Sequence, residues 1–404
     1  MADRISRIRI EGIRSLAKVD VPLRPLTVLI GENGTGKSSF IEALELLRRL
    51  PGPNFIRELS TEHGGLRTLL TDGEKRITLG VEVTSDLPED TLAYSITIGL
   101  SGEFPSIERE QLVKDPGASI GLDCLYRDGP VVQALDQATL KMVDVPDIKP
   151  NQPLISAYLP PQPAIARMKG MLERIAVHLP FPVTPSWAAG GRQRSPLREP
   201  ATIVPAERLE RYGENLASAY QALRNNFSPQ HWQETLEYIR LGLGESVQDV
   251  QVRTDPGGGR VAIALRFSEL SQPVPAVAIS DGMLAYLAHV ALFRLNGGES
   301  LIAFDEPEQH LHPRLLARMV GFYEAISASR PVILATQSDR VLDALATPEN
   351  SAVLLELDEA RHAEFRWPDP VSLRKWLDHF AGFAEMRSSG HESSFFTAPL
   401  PGTT

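Results

Sequence analysis

The sequence predicts an α/β protein with a parallel core sheet, an antiparallel β subdomain and a helical insertion. Two observations predict the parallel sheet. A short apolar strand runs through a glycine turn into a helix between residues 26 and 50, and helices alternate with strands between residues 282 and 336. A third observation predicts the antiparallel part, because strand-like runs separated by turn residues follow one another between residues 75 and 127.

The N-terminal elements follow from the periodicity of apolar side chains. Residues 4–11 alternate charged and apolar side chains, which is typical of a half-exposed strand. Residues 26–30 form a short β-branched run that is typical of a buried parallel strand. From Ser38 the apolar residues fall at helical spacing, and Pro51 ends this helix. The strand-like runs of the antiparallel sheet cover residues 77–83, 92–98 and 120–126.

The second half of the chain contains the insertion and the remaining elements. Residues 130–205 are rich in proline and glycine, which favours an insertion with one helix near 163–178 and a mobile loop near 187–200. Helical spacing returns at 214–241. The elements predicted after it are a hairpin with strands at 247–253 and 261–267, a helix at 282–295, a strand at 301–304, a helix at 313–327, a strand at 331–336, a last hairpin beyond Thr347, and a helix near 371–385 ahead of a disordered tail.

Composition and charge limit the classes of protein to which this chain can belong. Its 404 residues are 42% hydrophobic and 23% charged, which is ordinary for a globular protein. The 41 basic and 51 acidic residues give a net charge of −10, which argues against a chain coated in positive charge for nucleic acid. With a single cysteine, Cys124, and no signal peptide or membrane-spanning stretch, we expect a cytoplasmic protein without a membrane partner.

A glycine-rich motif stands between the strand at 26–30 and the helix that follows. It matches the spacing G-x-x-x-x-G-K-[ST] at every fixed position. Such a loop turns successive backbone N–H groups toward the phosphates of a nucleotide, and the helix N-terminus adds partial positive charge. Lys37 supplies a cation for the β- and γ-phosphates, and the Ser38 hydroxyl can ligate Mg²⁺. The candidate nucleotide-binding residues are Gly31, Glu32, Asn33, Gly34, Thr35, Gly36, Lys37, Ser38 and Ser39.

The apolar strand at 301–304 ends in two adjacent carboxylates, Asp305 and Glu306. Taken alone, this pair can be a solvated strand end. Buried strands rarely finish in two acids unless a cation or hydrogen-bond donors receive them, and the phosphate loop supplies a reason for a cation. We therefore predict that Asp305 holds magnesium (Mg²⁺) together with Ser38. We predict that Glu306 is the catalytic base that accepts a proton from the attacking water.

The segment that begins with this acid pair, Asp305–Pro313, resembles the extended Walker B segment of ABC-type ATPases of the SMC/RecF/OLD group, particularly stand-alone bacterial AAA family ATPases. Residues 8–50 and 211–345 share the resemblance, and the remainder agrees only in general layout. The resemblance implies a P-loop NTPase fold with an ABC-type head. It also implies that the protein binds and hydrolyses ATP with Mg²⁺ as cofactor.

The resemblance assigns roles to two further segments. Ser280 and Gly282 stand where the family places its signature motif, which would contact the γ-phosphate of ATP held by a second subunit. Judged alone, Ser280 is a helix N-cap, and the segment departs from the commoner Ser-Gly-Gly. Gln337 stands where most relatives carry a histidine that senses the γ-phosphate, and it joins Lys37 and Glu306 as a candidate catalytic residue. An amide offers no titratable proton, so we expect slow hydrolysis.

Other candidate residues have two readings each. His310 and His312 are spaced like a metal pair, but no further ligand matches them. We interpret His312 with Pro313 as the start of a helix and a subunit contact. Arg14 lies where relatives approach the nucleotide, although a solvated surface arginine fits equally well. Three arginines of the insertion are either nucleic-acid contacts or parts of a solvated loop, namely Arg192, Arg194 and Arg198.

We divide the chain into four segments on these grounds. They are an N-terminal ATPase lobe with Walker A and the antiparallel sheet (1–130), a helical and irregular insertion (131–245), a C-terminal ATPase lobe with signature, Walker B and switch (246–345), and a C-terminal appendage with a flexible tail (346–404).

The resemblance implies a homodimer with composite ATP sites, whose formation controls a partner or a DNA transaction in DNA repair or antiviral defence. OLD relatives carry a Toprim nuclease, and the stretch after Leu345 is too short for one, so we expect any nuclease or other effector to be a separate chain. The alternative is a nucleotide-dependent regulatory or scaffold protein with little turnover. Gln337 and the altered signature favour it, and the intact pair Asp305–Glu306 opposes it. A small-molecule kinase or a GTPase fits the motifs less well.

Overall fold

The described residues form three β-sheets and the helices that pack against them. The computed structural model describes residues 3–85, 90–117, 121–157, 159, 161–185, 188, 195–255, 257–295, 297–377, 385 and 398–399. The strands are Arg4–Ile13 (β1), Leu16–Pro22 (β2), Leu26–Gly31 (β3), Arg76–Thr84 (β4), Leu92–Ser101 (β5), Phe104–Lys114 (β6), Leu122–Asp128 (β7), Val131–Asp136 (β8), Lys141–Asp144 (β9), Ile175–His178 (β10), Ala201–Thr202 (β11), Val247–Thr254 (β12), Arg260–Phe267 (β13), Val274–Pro275 (β14), Leu301–Asp305 (β15), Val332–Thr336 (β16), Ala352–Leu357 (β17), Ala363–Trp367 (β18) and Ala398–Pro399 (β19).

The helices come from both halves of the chain and cover the faces of the sheets. They are Lys37–Arg49 (α1), Phe55–Thr61 (α2), Leu66–Leu69 (α3), Pro163–Glu173 (α4), Leu216–Asn225 (α5), Pro229–Leu243 (α6), Asp281–Leu295 (α7), Pro313–Ser327 (α8), Asp339–Asp343 (α9), Pro348–Ser351 (α10) and Pro370–Leu377 (α11). Two short 3₁₀ turns lie at Leu154–Ser156 and Ala276–Ala278.

A seven-stranded sheet forms the centre of the described structure. Its order is β10-β15-β16-β3-β17-β18-β19, and its first five strands run parallel to one another. This arrangement confirms the predicted α/β class with a parallel core sheet. Because β3, β15 and β16 run in the same direction within one sheet, the segments that follow their carboxyl ends meet at one edge.

Each central strand sends alternate side chains to two apolar cores. Val28 and Leu334 pack with helices α5 to α8 in one core. Leu29 and Ile333 pack in the other core with α1, α4 and the antiparallel sheet. Both faces of the sheet are therefore covered, which is why its strands consist of unbroken apolar runs in the sequence.

The antiparallel sheet has eight strands in the order β2-β1-β4-β5-β6-β7-β8-β9. The sequence reading missed β6, because charged residues interrupt its apolar pattern. One of them, Glu110, is fully buried and accepts hydrogen bonds from Tyr94 Oη at 2.9 Å, Leu154 N at 2.5 Å and Ile155 N at 2.8 Å. A buried carboxylate can occupy a strand when three hydrogen-bond donors satisfy it, but a glutamate in the sequence predicts an exposed position.

The antiparallel sheet continues past residue 130, where we placed the first segment boundary. That boundary falls between β7 and β8, which are hydrogen-bonded neighbours. The C-terminal segment is also tied to the core, because β17 pairs in parallel with β3. The helix predicted near 371–385 begins at Pro370 and is described to Leu377. Beyond Leu377, residue 385 of the predicted helix and residues 398–399 of the tail predicted to be disordered are described.

Two predicted helices were wrong in part. The helix predicted at 163–178 ends at Glu173, and the last four residues of that range form the strand β10. This β-branched strand is too short to be distinguished by its periodicity from the end of a helix. The single helical stretch predicted at 214–241 is two helices, α5 and α6. Pro229 starts the second helix because it lacks a backbone N–H, and Ser228 Oγ caps it by accepting from His231 N.

Two histidines are buried in an aromatic cluster behind the end of β15. His178 stacks on Phe304 with ring centroids 5.5 Å apart, and His289 lies 5.1 Å from the same ring. His289 Nδ1 also hydrogen-bonds the Tyr323 hydroxyl at 2.9 Å. Burial lowers the pKa of His178 to about 4 and that of His289 to about 3, so both rings are neutral in the folded protein.

We expect the free energy of unfolding to decrease as the pH falls from about 6.5 toward 4. Below the ordinary histidine pKa the unfolded chain binds protons that the folded chain does not, at a cost of about 2 kcal/mol for each histidine. Urea unfolding across this range measures the slope. His289→Phe should reduce the slope, because it removes one of the two buried imidazoles. An equal slope in His289→Phe and the wild type would contradict the assignment.

Candidate active site

The glycine-rich loop connects β3 to α1 at the carboxyl edge of the central sheet. Gly34 and Gly36 have φ values of 83° and 104°, in the left-handed region that favours glycine. At Gly31 a Cβ atom would lie 2.4 Å from the carbonyl oxygen of Leu355. The fold therefore needs glycine at these positions to bring the loop backbone into place.

The Lys37 side chain lies across this loop and is almost fully buried. Its Nζ atom donates to the carbonyl oxygens of Gly31 and Glu32, each at 2.7 Å. Thr35 Oγ1 donates to the same Glu32 carbonyl at 2.9 Å. Ser39 is buried, whereas residues 32–34, at the tip of the loop, are exposed. The loop is thus folded around the lysine ammonium and presents its outer backbone to solvent.

Ser38 and Asp305 bring the loop and the acid strand together. The exposed Ser38 hydroxyl lies beside the Asp305 carboxylate and acts to lower its pKa. Asp305 Oδ1 is buried and has no hydrogen-bond partner among the described residues. Burial raises the pKa of Asp305, and the Glu306 carboxylate adds to this increase while Ser38 and Lys37 oppose it. A hydroxyl next to a carboxylate oxygen without a partner is a donor set that fits Mg²⁺, which prefers oxygen ligands.

The Glu306 carboxylate is held by two side-chain amides. Gln337 Nε2 donates to Glu306 Oε1 at 2.5 Å, and Gln309 Nε2 donates to Oε2. The Glu306 backbone has φ at 48°, and its N–H donates to the carbonyl of Ala335 at 2.7 Å. A non-glycine residue in this region of φ is uncommon, so the backbone bond and both amides hold it against its local preference.

A second acid beside Glu306 was not recognised in the sequence. Glu308 Oε1 accepts from Thr336 Oγ1 at 2.5 Å, and Thr336 Oγ1 accepts from Ser338 N at 2.9 Å. Burial raises the pKa of Glu308. The contact of Gln309 with Glu306 was also missed, although its spacing of three residues within a turn was visible. The pairing of Glu308 with Thr336 had no sequence signal, because it joins the turn after β15 to the end of β16, which are 28 residues apart in the chain.

Ser280 and Gly282 lie at the start of α7. Ser280 is exposed, and its Oγ accepts from Met283 N at 3.4 Å, so it caps the helix. A Cβ atom on Gly282 would lie 2.9 Å from the carbonyl oxygen of His310, so the helix start packs against the loop after the acid pair. The structure therefore gathers Lys37, Ser38, Asp305, Glu306 and Gln337 at one edge and presents Ser280 to solvent.

The remaining candidates have structural partners. His312 Nδ1 accepts from Arg314 N at 3.4 Å, which confirms that it shapes the start of α8. Among the described residues, no group of three or more His, Cys, Asp or Glu side chains could hold a metal ion. Arg14 is exposed and forms an ion pair with Glu42 on α1 at 2.7 Å, which fits the reading of a solvated surface arginine.

Neither reading of Arg198 was correct. Its side chain is buried and donates to backbone carbonyls, so it is neither a solvated residue nor a contact open to nucleic acid. The sequence suggested exposure because the surrounding segment is basic and poor in apolar residues. Arg192 and Arg194 lie outside the described residues. Within the described part of the chain, no helix is long and apolar enough to cross a membrane.

Comparison with known proteins places this arrangement in a family. The model of the family described as "AAA domain, putative AbiEii toxin, Type IV TA system" matches residues 26–343. The OLD nuclease of Thermus scotoductus is 37% identical over 43 residues. That match spans 11% of this chain and only 8% of the length of the OLD nuclease.

Two solved structures of SMC heads share the fold. One is the SMC head bound to the C-winged helix domain of ScpA, with a TM-score of 0.53, 14% identity, and coverage of 90% of this chain and 97% of that one. The other is the Smc head domain with an extended coiled coil bound to the C-terminal domain of ScpA derived from Pyrococcus furiosus. Its TM-score is 0.53 at 13% identity, and it covers 94% of this chain and 99% of that one. The fold is therefore that of an ABC-type P-loop head.

Proposed function

This chain belongs to the AAA-domain family that matches residues 26–343, and on that premise we propose that it binds and hydrolyses ATP in a Mg²⁺-dependent reaction. The family and the ABC-type head are those of ATPases, which supports nucleotide binding as the general activity. The observation that carries the proposal is the position of the Ser38 hydroxyl beside the buried Asp305 carboxylate. It places the loop that would bind phosphates next to the strand that ends in two acids, and it leaves a buried carboxylate oxygen available to a cation.

Each residue of the site has a defined role in this proposal. Lys37 moves from the loop carbonyls to neutralise the β- and γ-phosphates of ATP. Ser38 and Asp305 would hold Mg²⁺, which, when bound, withdraws charge from the phosphate oxygens. Glu306 accepts the proton of the attacking water, and Gln337 orients Glu306 and donates to the γ-phosphate. Each Glu306 oxygen retains a lone pair beyond the one that its amide occupies, so the carboxylate can still accept that proton.

We further propose that ATP joins two copies of this chain. The N-terminal lobe (1–130) of one copy supplies the phosphate loop, and the C-terminal lobe (246–345) of the other supplies Ser280 and the start of α7. A helix N-terminus with an exposed hydroxyl suits a γ-phosphate. Because ADP lacks that phosphate, hydrolysis removes the contact with one copy and the dimer separates. The exposure of Ser280 supports this role.

Complementation between two inactive variants tests the composite site. Neither Lys37→Ala nor Ser280→Arg should hydrolyse ATP alone, because each damages both sites of its own dimer. A heterodimer keeps one intact site, formed by Lys37 of the Ser280→Arg chain and Ser280 of the Lys37→Ala chain. An equal mixture should therefore regain up to roughly a quarter of the wild-type rate of phosphate release, given random pairing in a two-fold dimer. A mixture that stays inactive would show that the site is not shared between copies.

The heads in the two similar structures bind ScpA, and the relative with the local match is a nuclease. We propose by analogy that this head also acts through a partner, which is a separate effector or nuclease chain, in DNA repair or antiviral defence. The net charge of −10 fits a protein partner better than extensive contact with the DNA backbone. Mass spectrometry of proteins that co-purify with the Glu306→Gln variant would identify the partner.

A regulatory or scaffold protein with little turnover is the second candidate. The observation that favours it is the pair of amides on Glu306, because Gln337 offers no titratable proton and both carboxylate oxygens already accept a hydrogen bond. Steady-state phosphate release by the wild type, measured next to Glu306→Gln, separates the two candidates. Equal rates would favour the scaffold, and a rate that depends on Glu306 would favour the ATPase.

A further inference from the structure

Arg198 makes a set of contacts that neither the family resemblance nor the proposed reaction uses. Its Nε donates to Val183 O at 2.6 Å, and its Nη1 donates to Ala276 O at 3.0 Å and Ile279 O at 2.7 Å. Its Nη2 donates to the Asp281 carboxylate, with which it forms an ion pair. With a longer bond from Nη1 to Val277 O at 3.3 Å, the planar guanidinium thus bonds to five groups from two separate segments, a geometry that only arginine provides.

These contacts enclose Ser280 from both sides. Ile279 precedes it and Asp281 follows it, and both accept hydrogen bonds from the same guanidinium. Ile279 is buried, whereas Ser280 is exposed. Arg198 therefore fixes the backbone on each side of Ser280 while the Ser280 hydroxyl itself faces solvent.

The bond from Arg198 to Val183 connects to the part of the sheet that carries the acid pair. Val183 is fully buried in the segment that follows β10. His178, the last residue of β10, pairs with Phe304, which immediately precedes Asp305. Arg198 thus links the turn that carries Ser280 to a segment leaving the same edge of the sheet as the acid pair.

We propose that Arg198 is a positioning residue for the ATP-dependent interface between two copies of this chain, because it holds Ser280 in the orientation that a nucleotide on the second copy requires. This inference rests on the proposed function, and specifically on the composite site. It assigns Arg198 to the half-site that receives the nucleotide from the partner, and not to the phosphate loop of its own chain.

Arg198→Lys is the informative substitution, since lysine keeps the charge but cannot bond to Val183, Ile279 and Asp281 at once. In the Glu306→Gln background we expect the affinity of the monomer for a fluorescent ATP analogue to stay within about twofold. We expect the dissociation constant of the ATP-bound dimer, measured by light scattering, to rise by about tenfold or more, because charge-assisted bonds to the turn are lost. A loss of nucleotide affinity equal to the loss of dimerisation would overturn the proposal.

Complementation separates a positioning role from a general structural one. Arg198→Lys mixed with Lys37→Ala should regain phosphate release, because the Lys37→Ala chain supplies an intact Ser280 turn. Arg198→Lys mixed with Ser280→Arg should show no gain over Arg198→Lys alone, because both chains damage the same half-site. The reverse pattern, or wild-type activity of Arg198→Lys alone, would overturn the proposal.

Two controls keep the result interpretable. The pair Lys37→Ala with Ser280→Arg tests the composite site itself, so if this pair stays inactive the proposed function fails before Arg198 is judged.

Thermal melting shows whether Arg198→Lys folds. If it does not, Asp281→Asn replaces it, since the Asp281 side chain is 45% exposed and its loss removes only the ion pair. Asp281→Asn should behave as Arg198→Lys does in both mixtures, with a smaller effect, and restored activity with Ser280→Arg would overturn the proposal.

Discussion

Lys37→Ala removes ATP binding, because it deletes the cation that would neutralise two phosphates within a loop that otherwise offers backbone N–H groups. We expect the dissociation constant for Mg-ATP to rise by about two to three orders of magnitude, as is reasonable for the loss of two charge-assisted hydrogen bonds. Isothermal titration calorimetry measures the change directly. Phosphate release should fall to background in the same variant.

A loss of binding has to be separated from a loss of folding, because the Lys37 ammonium also bonds to the carbonyls of Gly31 and Glu32. Lys37→Met fills nearly the same space without the charge and should lose binding to the same extent. Lys18→Ala, at an exposed lysine on β2, should bind ATP as the wild type does. An unchanged affinity in both Lys37 variants would remove the loop as the phosphate site.

Glu306→Gln stops hydrolysis without preventing ATP binding, since an amide of the same shape cannot accept the proton of water. We expect phosphate release to fall by about two to four orders of magnitude, the usual contribution of a general base. With hydrolysis blocked, the ATP-bound dimer should accumulate. Size-exclusion chromatography with light scattering should then report twice the mass of the monomer.

The new amide at residue 306 cannot accept from both Gln337 and Gln309 through two oxygens, so one of these contacts must rearrange. Glu356→Gln makes the same chemical change on β17, where Glu356 pairs with Arg366, and should leave both hydrolysis and mass unchanged. A Glu306→Gln monomer under saturating Mg-ATP would contradict the shared site.

The elements that hold the site were predictable because their signals are local. An apolar run of five or six residues identified β3, β15 and β16, and a proline or a helix-start motif identified α1 and α8. Several elements were missed, and two of them have a local sequence that opposes their structure. Charged residues obscured β6, whose Glu110 is stabilised by donors distant in the chain, and β10 is too short to be distinguished from the end of a helix.

The residues of the candidate site fall into the same two groups, those that the local sequence predicted and those that it did not. The glycine-rich loop and the acid pair are contiguous motifs, and the sequence alone indicated that Ser38 and Asp305 belong together. The roles of these residues toward a nucleotide remain proposals. Gln309, Glu308 and Arg198 were missed or misread because their meaning depends on a tertiary partner. The sequence does not distinguish a buried arginine from a solvated one, whereas the packed structure does.

The position of β17 next to β3 affects how this protein is made. The strand that leads into the glycine-rich loop leaves the ribosome well before its two neighbours in the sheet, β16 and β17. Until they emerge, the nascent polypeptide contains an apolar strand with both edges unpaired, which invites association with other chains. Stalled or prematurely terminated products should therefore depend heavily on chaperones, because β3 gains its second neighbour in the sheet only after Leu357 has been synthesised.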